Sequence, residues 1–552
     1  MPNCKNCQQN FTITEADRQF YRKMEVPEPT MCFPCRLQNL MAYRNERVLY
    51  PAICGLCKKS ILAAYPPTHP TPIYCYECWH TDKWDSTTYG QDYDSDRSFF
   101  EQYEKLQNTV PPFALSVFGS INSDYTNCAS WNKNSYLVSG ANYNEDVLYG
   151  NYVNYDKYSL DISFTHKSEL CYEITDGENN YHVRFATDSS NCSDCSFIHD
   201  CRNCVDCFCC TNLRNAKYCI LNKPYNEADY RKKMAAIDLG SYQTVQQYLG
   251  EFKQLKLLAV YQYYHGSKNE NSTGDYFYYT KDCHYCFDAT EVEGCAYLQW
   301  FHKARNCYDI LAWGFGAENC YSGVEVGDNV TFLKFTRTCR TGSSNLEYCQ
   351  NCIGCTDCFG CYCMHNVKYC ILNKQYLEKE YRELKEKIIA KTKSSGEYGE
   401  FFPTKYSYFG YNETIANDYF PLTREEVLKR GWHWQDKMPG IYDKGTLTAD
   451  QLPNNIKEVE DNITKEILVC ASCGKNYKIT LAELKLYKQI TVPLPRQCFD
   501  CRHLARLKQR NPRQLWHRQC LRPGCKNEFE TTYAPDRSEK VYCEECYQKE
   551  IY

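Results

Sequence analysis

Short cysteine pairs at the two ends of the chain constrain its fold more than any other feature. The first 78 residues contain four such pairs and the last 83 contain four more, and in both copies the pairs are separated by 24, 18 and 17 residues. Two pairs joined by about 15 to 25 residues supply the four sulfur ligands of a tetrahedral Zn2+ ion. The sequence therefore predicts about four structural zinc sites, with the ligands Cys4, Cys7, Cys32, Cys35, Cys54, Cys57, Cys75, Cys78, Cys470, Cys473, Cys498, Cys501, Cys520, Cys525, Cys543 and Cys546.

Each pair of sites would form a small module that depends on its metal. A segment of about 32 residues cannot bury a self-sufficient core, whereas structural zinc binds with about 10 to 16 kcal/mol. Four sulfur ligands leave no coordination position for water, so catalytic zinc is not expected. Reduced cysteines that hold no metal are the alternative interpretation.

The likeness between the two ends extends beyond cysteine. The positions Phe11, Ile13, Tyr21, Val26, Pro27 and Pro29 align with Tyr477, Ile479, Tyr487, Val492, Pro493 and Pro495. The stretches RLQNLMAYRNER and RHLARLKQRNPR follow Cys35 and Cys501 and carry leucines at helical spacing. We expect a helix to start at each of these two cysteines, where the helix dipole favours a thiolate. Each module is therefore predicted to be a pair of treble-clef-like zinc ribbons.

A second duplication occupies the middle of the chain. The segment Cys201–Tyr225 aligns without gaps with Cys352–Tyr376, and both copies place four cysteines at three-residue intervals. Cysteine also recurs at about twelve residues, in the series Cys195, Cys207 and Cys219 and in the series Cys283, Cys295 and Cys307, with Cys320 one residue late.

Short β-like runs such as SYLVS, YHVRF and CAYLQW, bounded by turn-forming residues, accompany this spacing. Strands at fixed intervals predict a parallel β-solenoid in which equivalent residues stack in columns. Cysteine suits such a column because it is small and apolar. An extended strand alternates its faces and does not bring several thiolates to one point, so buried structural thiols are favoured. Further metal binding, above all at Cys201–Cys210 and Cys352–Cys363, is the alternative.

These patterns divide the chain into six regions. We expect paired zinc ribbons at residues 1–86 and 469–552, and the two halves of the solenoid at 87–224 and 271–376. A helical insertion is predicted at 225–270, and a helix, an aromatic packing segment and a linker at 377–468. The predicted class is mainly β: a central Cys-rich parallel β-solenoid with helical insertions, flanked at both ends by the paired ribbons.

Composition restricts the cellular setting. The 39 cysteines are an odd number, and the opening MPNCKNCQQN has neither a basic nor an apolar signal region. We therefore expect a cytoplasmic protein with reduced thiols. No apolar run approaches the roughly 18 residues of a membrane helix, so no membrane partner is expected. A net charge of −4 disfavours a protein that binds nucleic acid over its whole surface.

The whole chain resembles a family of large cysteine-rich, zinc-ribbon-containing proteins from the genomes of candidate-phyla bacteria. The motifs that carry this resemblance are FTITEADRQFYRKMEVPEPTMCFPCR, YCILNKQY, GYNETIANDYFPLT and TTYAPDRSEKVYCEECY. The first unit is also similar to the probable zinc-ribbon domains with a CxxC…FY…CxxCR signature, through Cys4, Cys7, Phe20, Tyr21, Cys32, Cys35 and Arg36. The resemblance implies zinc binding and points to no particular activity.

Two functions are consistent with the sequence. The first is a non-enzymatic zinc-binding scaffold or protein-interaction protein with an unknown protein partner. The alternative is nucleic-acid binding through the basic rear ribbon, by Arg502, Arg506, Lys508, Arg510, Arg513 and Trp516. The same charges could instead form a solvated helix face that offsets a tetrathiolate centre. No metalloprotease, P-loop, dinucleotide or nucleophile-elbow motif is present, so an enzyme is not expected.

Overall fold

The computed structural model describes residues 1–294, 307–311, 321–324, 334–337 and 342–552. The predicted column positions Cys295 and Cys320, and the run CAYLQW, lie outside these residues. The chain divides into two compact units. Unit 1 comprises Met1–Leu115, Tyr264–Met438 and Arg513–Leu515, and unit 2 comprises Ser116–Tyr263, Pro439–Pro512 and Trp516–Tyr552. Each unit thus combines one cysteine-pair end of the chain with the central duplicate that is farther from it in sequence.

Helices occur throughout both units. The described residues contain twelve α-helices: α1 (Glu15–Lys23), α2 (Phe33–Met41), α3 (Tyr76–Trp79), α4 (Phe99–Gln107), α5 (Glu227–Ala235), α6 (Tyr242–Leu258), α7 (Glu378–Ser395), α8 (Ile415–Tyr419), α9 (Arg424–Lys429), α10 (Leu481–Ile490), α11 (Phe499–Leu507) and α12 (Glu544–Ile551). Short 3-10 helices span Ser86–Tyr89, Thr404–Tyr406, Tyr411–Glu413, Ala449–Gln451, Ile456–Glu458 and Asp461–Lys465.

The strands are mostly short. They are β1 (Tyr50–Ile53), β2 (Ser60–Ala63), β3 (Val117–Phe118), β4 (Asn127–Ser130), β5 (Ser139–Asn142), β6 (Asn151–Asn154), β7 (Leu160–His166), β8 (Tyr172–Glu178), β9 (Arg184–Ser190), β10 (Ser196–His199), β11 (Val205–Thr211), β12 (Lys217–Ile220), β13 (Lys223–Pro224), β14 (Val260–Gln262), β15 (Gly266–Ser267), β16 (Gly274–Tyr278), β17 (Cys286–Thr290), β18 (Ser344–Glu347), β19 (Thr356–Phe359), β20 (Lys368–Ile371), β21 (Lys374–Gln375), β22 (Leu468–Val469), β23 (Asn476–Tyr477), β24 (Trp516–Gln519), β25 (Glu528–Thr531) and β26 (Lys540–Tyr542). The described chain is therefore mixed α and β. The predicted mainly β class was wrong because it underweighted the helices that follow the cysteine pairs and the sheets.

The largest sheet lies in unit 2 and follows the order of the chain. Eleven strands run from β3 to β13, each paired with its neighbours in sequence. All of these pairings are parallel except the last, between β12 and β13. Partners are twelve residues apart, as in Ile162 with Ile174 and Cys207 with Cys219. The predicted twelve-residue spacing is thus the register of a parallel sheet.

A left-handed residue at every third position explains this register. From Asn122 to Leu221 every third residue has a positive φ, for example 55° at Tyr152 and 60° at Tyr155. Each such residue turns the chain, so the backbone runs in straight sides of three residues each. After four sides, or twelve residues, it lies again in register with the residue where it began. The residue that follows each turn faces the core, and Val153, for example, is 0% exposed. Inward positions therefore recur every three residues, and the predicted two-residue alternation of faces was wrong.

The core of this sheet is built from cysteine, alanine, valine and isoleucine side chains. Cys201, Cys204, Cys207 and Cys210 occupy four successive inward positions, and each is 0% exposed. The Cys201 thiol lies 3.8 Å from the carbonyl oxygen of Cys210, nine residues later. The Asn180 side-chain amide donates in the same way to the carbonyl of Ser189, at 2.8 Å. Buried thiols therefore take the place of asparagine amides as hydrogen-bond donors to the next segment. The predicted burial of the central cysteines is confirmed.

Both central duplicates end in the same kind of closure. In unit 2 the antiparallel strand β13 follows β12, and α5 packs on β12. In unit 1 the antiparallel strand β21 follows β20, and α7 packs on β20. In both closures the antiparallel strand begins at the last residue of the shared sequence YCILNK. The long helix α6 covers β10 and β11, where Phe252 and Phe197 are in ring contact.

The described residues of unit 1 form two shorter, mainly parallel sheets. Strands β15 to β17 form one, and strands β18 to β21 form the other, in which Cys358 pairs with Cys370 twelve residues away. The aromatic segment packs on this unit, as expected, since Phe402 is 0% exposed and contacts the rings of Tyr103 and Tyr348.

The stretch predicted as a linker contributes to the core of unit 2. Leu452, Ile456 and Val459 are each at most 5% exposed and belong to the same apolar cluster as Tyr487. Apolar residues at intervals of three and four bring one side of this stretch into the core, although polar residues dominate its composition.

One buried carboxyl in the unit 2 sheet generates a prediction. Asp156 stands in a ladder of inward amides: its N–H donates to Asn144 and its carboxylate accepts from Ser168 N and Thr165 Oγ1. Burial raises its pKa from 3.8 to about 7, so the folded protein retains a proton that the unfolded chain releases. Stability should therefore fall as pH rises from about 4 to about 7.

Replacement of the Asp156 carboxyl by an amide should remove this loss of stability at higher pH. We expect Asp156→Asn to raise the free energy of unfolding of unit 2 at pH 8 by about 2 to 4 kcal/mol, and to have little effect near pH 4. Urea unfolding at both pH values measures this, and Asp124→Asn at an exposed position is the control. An equal gain at both pH values would contradict the assignment.

Candidate metal centres

The structure brings the sixteen predicted cysteine ligands together as four groups of four. Within each group all sulfur atoms lie within 4.8 Å of one another. The groups are Cys4, Cys7, Cys32 and Cys35; Cys54, Cys57, Cys75 and Cys78; Cys470, Cys473, Cys498 and Cys501; and Cys520, Cys525, Cys543 and Cys546. In the part of the chain that is described, the central cysteines form no comparable group.

The first pair of every group lies in the turn of an antiparallel hairpin. Strands β1 and β2 flank Cys54, β22 and β23 flank Cys470, and β24 and β25 flank Cys520. At Cys4 an antiparallel bridge between Asn3 and Asn10 plays the same role. A short hairpin thus directs two sulfurs to one side of each site.

The residue after the second cysteine of the first three hairpins is left-handed. Its φ is 62° at Gln8, 63° at Lys58 and 73° at Gly474. This conformation lets the chain reverse within the pair, and glycine adopts it at the lowest cost. The longer pair Cys520/Cys525 instead places Gly524, at 83°, before its second cysteine. The two extra residues therefore change the turn and still close the site.

The second pair of every group begins a helix. Cys32, Cys75, Cys498 and Cys543 are the N-cap residues of α2, α3, α11 and α12. The prediction that Cys35 and Cys501 lie at a helix start is confirmed, with each in the first turn after its N-cap. The positive end of the helix dipole therefore points toward the sulfurs, which favours thiolate.

The same backbone hydrogen bond joins the two halves of each site. The N–H groups of Cys32, Cys75, Cys498 and Cys543 donate to the sulfur of the first cysteine at 3.2 to 3.3 Å. Such donors stabilise a negative sulfur. Burial raises the pKa of Cys54, but the N–H groups of Cys75, Cys57 and Leu56 outweigh it and lower that pKa to about 6. Burial is likewise outweighed at Cys470, whose pKa is lowered to about 7.

The sulfur spacing fits one tetrahedral ion per group. Metal–sulfur bonds of about 2.3 Å place the sulfurs of a tetrahedron about 3.8 Å apart. The observed separations are 3.7 Å for Cys7 and Cys32, 3.9 Å for Cys57 and Cys75, and 3.8 Å for Cys470 and Cys501. Disulfide bonds would require about 2.05 Å, and among the described residues no cysteine forms one.

A buried arginine in α2 and its aligned counterpart in α11 anchor the two modules to the rest of their units. Arg36 Nε lies 2.8 Å from Asp309 in unit 1, and the aligned Arg502 Nε lies 2.9 Å from Asp161 in unit 2. Both arginines also donate to the backbone carbonyl just before the N-cap cysteine, Met31 O at 2.7 Å and Gln497 O at 2.8 Å. One side chain therefore links the helix start of the metal site to a buried carboxylate.

Aromatic packing repeats this correspondence. Tyr21 of α1 meets Tyr308 edge-on, with ring centroids 5.4 Å apart. The aligned Tyr487 of α10 meets Tyr172 of β8 edge-on at 5.9 Å. The duplicated modules therefore use aligned residues for their contacts within the two units.

The residues predicted to bind nucleic acid are mostly committed to ion pairs within the protein. Arg506 Nη1 lies 2.8 Å from Asp161 and 3.3 Å from Glu173, and the Arg506 side chain is 1% exposed. Arg510 pairs with Asp176 in unit 2, and Arg513 pairs with Asp288 in unit 1. Of the remaining two, Lys508 is exposed and Trp516 is partly buried in β24.

Sequence reasoning did not identify the acidic partners of these arginines. Asp161 and Asp309 are 0% and 1% exposed, and each sits between apolar residues, in SLDIS and CYDIL. An aspartate inside an apolar run is the signal that could have revealed them, because a buried carboxylate needs a cationic partner. The identity of that partner depends on contacts more than 270 residues away in sequence.

Comparison with protein-family models and with curated proteins found no match for this chain. Within the described residues, no helix combines the length and apolar character needed to cross a membrane.

The buried ion pairs of α11 generate a second prediction. Arg506→Met leaves Asp161 and Glu173 without one of their cationic partners, and we expect this to lower the free energy of unfolding of unit 2 by about 3 to 5 kcal/mol. Lys508→Met, on the exposed side of the same turn, should change it by at most about 0.5 kcal/mol. Urea unfolding of both variants measures the difference, and equal effects would contradict the structural role of Arg506.

Proposed function

We propose that this protein is a non-enzymatic zinc-binding scaffold for protein interactions. In this proposal the four sulfur groups hold structural Zn2+ in paired treble-clef-like ribbons, and the central region is a Cys-rich parallel β-solenoid. The ribbons pack against the solenoid halves of their own units and stabilise them. The metal has no catalytic role.

The four-sulfur geometry is the observation that carries the proposal. Sulfur-only ligand sets favour zinc over the oxygen-preferring cations. Hairpin turn, helix N-cap and N–H to sulfur bond recur at all four sites, and four thiolates would fill the coordination sphere. With no position left for a water molecule, such a centre supports a structural role over a catalytic one.

The twelve-residue register supports the solenoid. Ten successive strands pair in parallel, and buried residues recur inward at every third position, as at Cys201, Cys204 and Cys207. Stacked segments of this kind present long, regular surfaces, which are common binding faces in repeat proteins. The hairpin-and-helix order of each cysteine group supports the treble-clef assignment of the ribbons.

The nucleic-acid alternative receives less support. Phosphate contacts require cationic side chains that can reach an outside ligand. Four of the six residues predicted for this role are arginines held by carboxylates of the same unit, at 2.8 to 3.0 Å. These arginines bind the ribbon to carboxylates of the same unit, which accounts for their charge. Among the six residues, Lys508 alone is exposed.

Metal content tests the zinc assignment. Purified protein should contain about four zinc ions per chain, and chelation should lower its melting temperature because structural zinc contributes folding free energy. Cys473→Ser, at an exposed ligand, should reduce the content to about three. Cys204→Ser, in the core of the sheet, should retain about four. Elemental analysis of the three proteins makes this comparison, and metal-free wild-type protein would overturn the proposal.

Partner capture tests the scaffold role. We expect the wild-type chain to retain specific proteins from cells that contain it naturally, and Cys473→Ser to lose those that depend on the rear module. Cys204→Ser serves as the matched cysteine control. Retention that is identical after removal of all zinc would contradict a metal-supported scaffold.

A further inference from the structure

Cysteine is concentrated next to the closure of the central sheet in both units. Of the ten inward positions from Cys192 to Cys219 in unit 2, seven are cysteine, and of the eight from Cys349 to Cys370 in unit 1, six are cysteine. Earlier inward positions of unit 2, such as Val153 and Ile162, are fully buried without sulfur. Packing of the core therefore does not require cysteine, and its concentration at these two places indicates a further role.

In unit 2 these cysteines form pairs that stand in register on neighbouring strands. Cys207 is paired with Cys219 in the sheet, and the strand pairings and bridges beside it place two more cysteine pairs in the same relation. The three in-register pairs are Cys192 with Cys204, Cys195 with Cys207, and Cys207 with Cys219. Five sulfurs, on residues that are each at most 5% exposed, therefore lie in two columns of the core.

Unit 1 repeats the arrangement with its own residues. Cys358 is paired with Cys370, and the bridges of the same sheet place two further sulfur pairs in register. The three pairs are Cys349 with Cys361, Cys352 with Met364, and Cys358 with Cys370. All six residues are 0% exposed. Three in-register sulfur pairs therefore recur beside the closure of each unit.

The two sulfurs of a pair have the same orientation. The Cys195 thiol donates to the carbonyl of Ser193 at 3.2 Å, and the Cys207 thiol donates to the equivalent carbonyl of Val205 at 3.5 Å. Each of these thiols also lies 3.6 to 3.7 Å from the carbonyl oxygen nine residues later. Equivalent side chains on neighbouring parallel strands are separated by the strand spacing of about 4.7 to 4.9 Å. The paired sulfurs are therefore about this far apart.

This separation fits a single ion bound linearly between two sulfurs. Two metal–sulfur bonds of about 2.3 Å add up to about 4.6 Å. Copper(I) is a soft ion that prefers cysteine and methionine sulfur and accepts a linear, two-coordinate geometry. Zinc requires four ligands, and among the described central cysteines no three sulfurs lie within 4.8 Å of one another. The in-register pairs therefore favour copper(I) over zinc.

We propose that each in-register sulfur pair binds one copper(I) ion, so that each unit holds three. On binding, Cu+ replaces the proton of one thiol and forms a bond to that sulfur, and it accepts a lone pair from the second sulfur. The proton leaves to solvent, and copper stays in the +1 state throughout. The net charge of the core is unchanged, which avoids the high cost of burying an unpaired charge.

The burial of these sulfurs determines when the ions enter. Cys207 and Cys358 are 0% exposed and lie in the cores of their sheets, so copper in solution does not reach them once the protein has folded. The ions are therefore acquired while the strands assemble, and they join successive strands just before each closure.

The metal content of the full chain tests the proposal. The protein is produced in cells whose medium contains copper, and it is purified without oxygen so that the copper remains copper(I). We expect about six copper ions per chain, one for each of the three pairs in each unit, in addition to the zinc. Cys207→Ser interrupts two pairs and should reduce the copper content to about four.

Cys201→Ser is the matched control. Cys201 is as fully buried as Cys207, but it stands in register with Ser189 and Leu213 and so belongs to no in-register sulfur pair. Serine suits both positions, because Ser159 and Ser189 already occupy the same two columns. Their hydroxyls donate to the carbonyl two residues earlier, as the thiols do. The Cys201→Ser protein should therefore retain about six copper ions.

X-ray absorption at the copper edge tests the geometry. Copper in these pairs should have two sulfur neighbours, whereas copper that displaces zinc from the four-sulfur groups should have three or four and should lower the zinc content in proportion. Displacement of this kind, a wild-type chain without copper, or an equal loss in Cys207→Ser and Cys201→Ser would overturn the proposal. The zinc assignment is tested separately, because a chain without zinc would overturn that assignment and leave the copper count unaffected.

Discussion

Four sulfur atoms held within 4.8 Å of one another are the constraint on which both cysteine-rich modules depend. Each module consists of short hairpins and short helices that have little core of their own. Closing the sulfur groups fixes the helix starts at Cys32 and Cys498, and these in turn aim Arg36 and Arg502 at buried aspartates. The local geometry of sulfur therefore positions an arginine four residues after each of these N-cap cysteines, and this arginine pairs with a carboxylate that is distant in sequence.

The sequence was most informative where structure depends on local spacing. Cysteine pairs at fixed distances identified all four sulfur groups, because the two ligands of a pair are brought together by one turn. The twelve-residue recurrence of Cys195, Cys207 and Cys219 likewise anticipated the parallel register. Shared YCILNK motifs marked the same closure in both halves, since each closure is a local hairpin followed by a helix.

Long-range relationships could not be predicted in this way. The ion pairs Arg36 with Asp309 and Arg502 with Asp161 span 273 and 341 residues, and no local pattern specifies which carboxylate a given arginine will meet. The same limit explains why arginines that looked like phosphate ligands are internal ion pairs. It also explains why each cysteine-rich end belongs with the more distant central duplicate, an arrangement that tertiary contacts alone determine.

The three-residue side that builds the unit 2 sheet has a consequence for how such a chain can change in length. Any insertion or deletion of twelve residues, one complete circuit, returns every downstream residue to its former column, so the set of inward residues stays intact. Unit 1 even accommodates circuits of eleven residues, as between Gly266 and Phe277. A fold of this type can therefore grow or shorten by whole circuits during evolution, while its two closures and its anchoring arginines are retained.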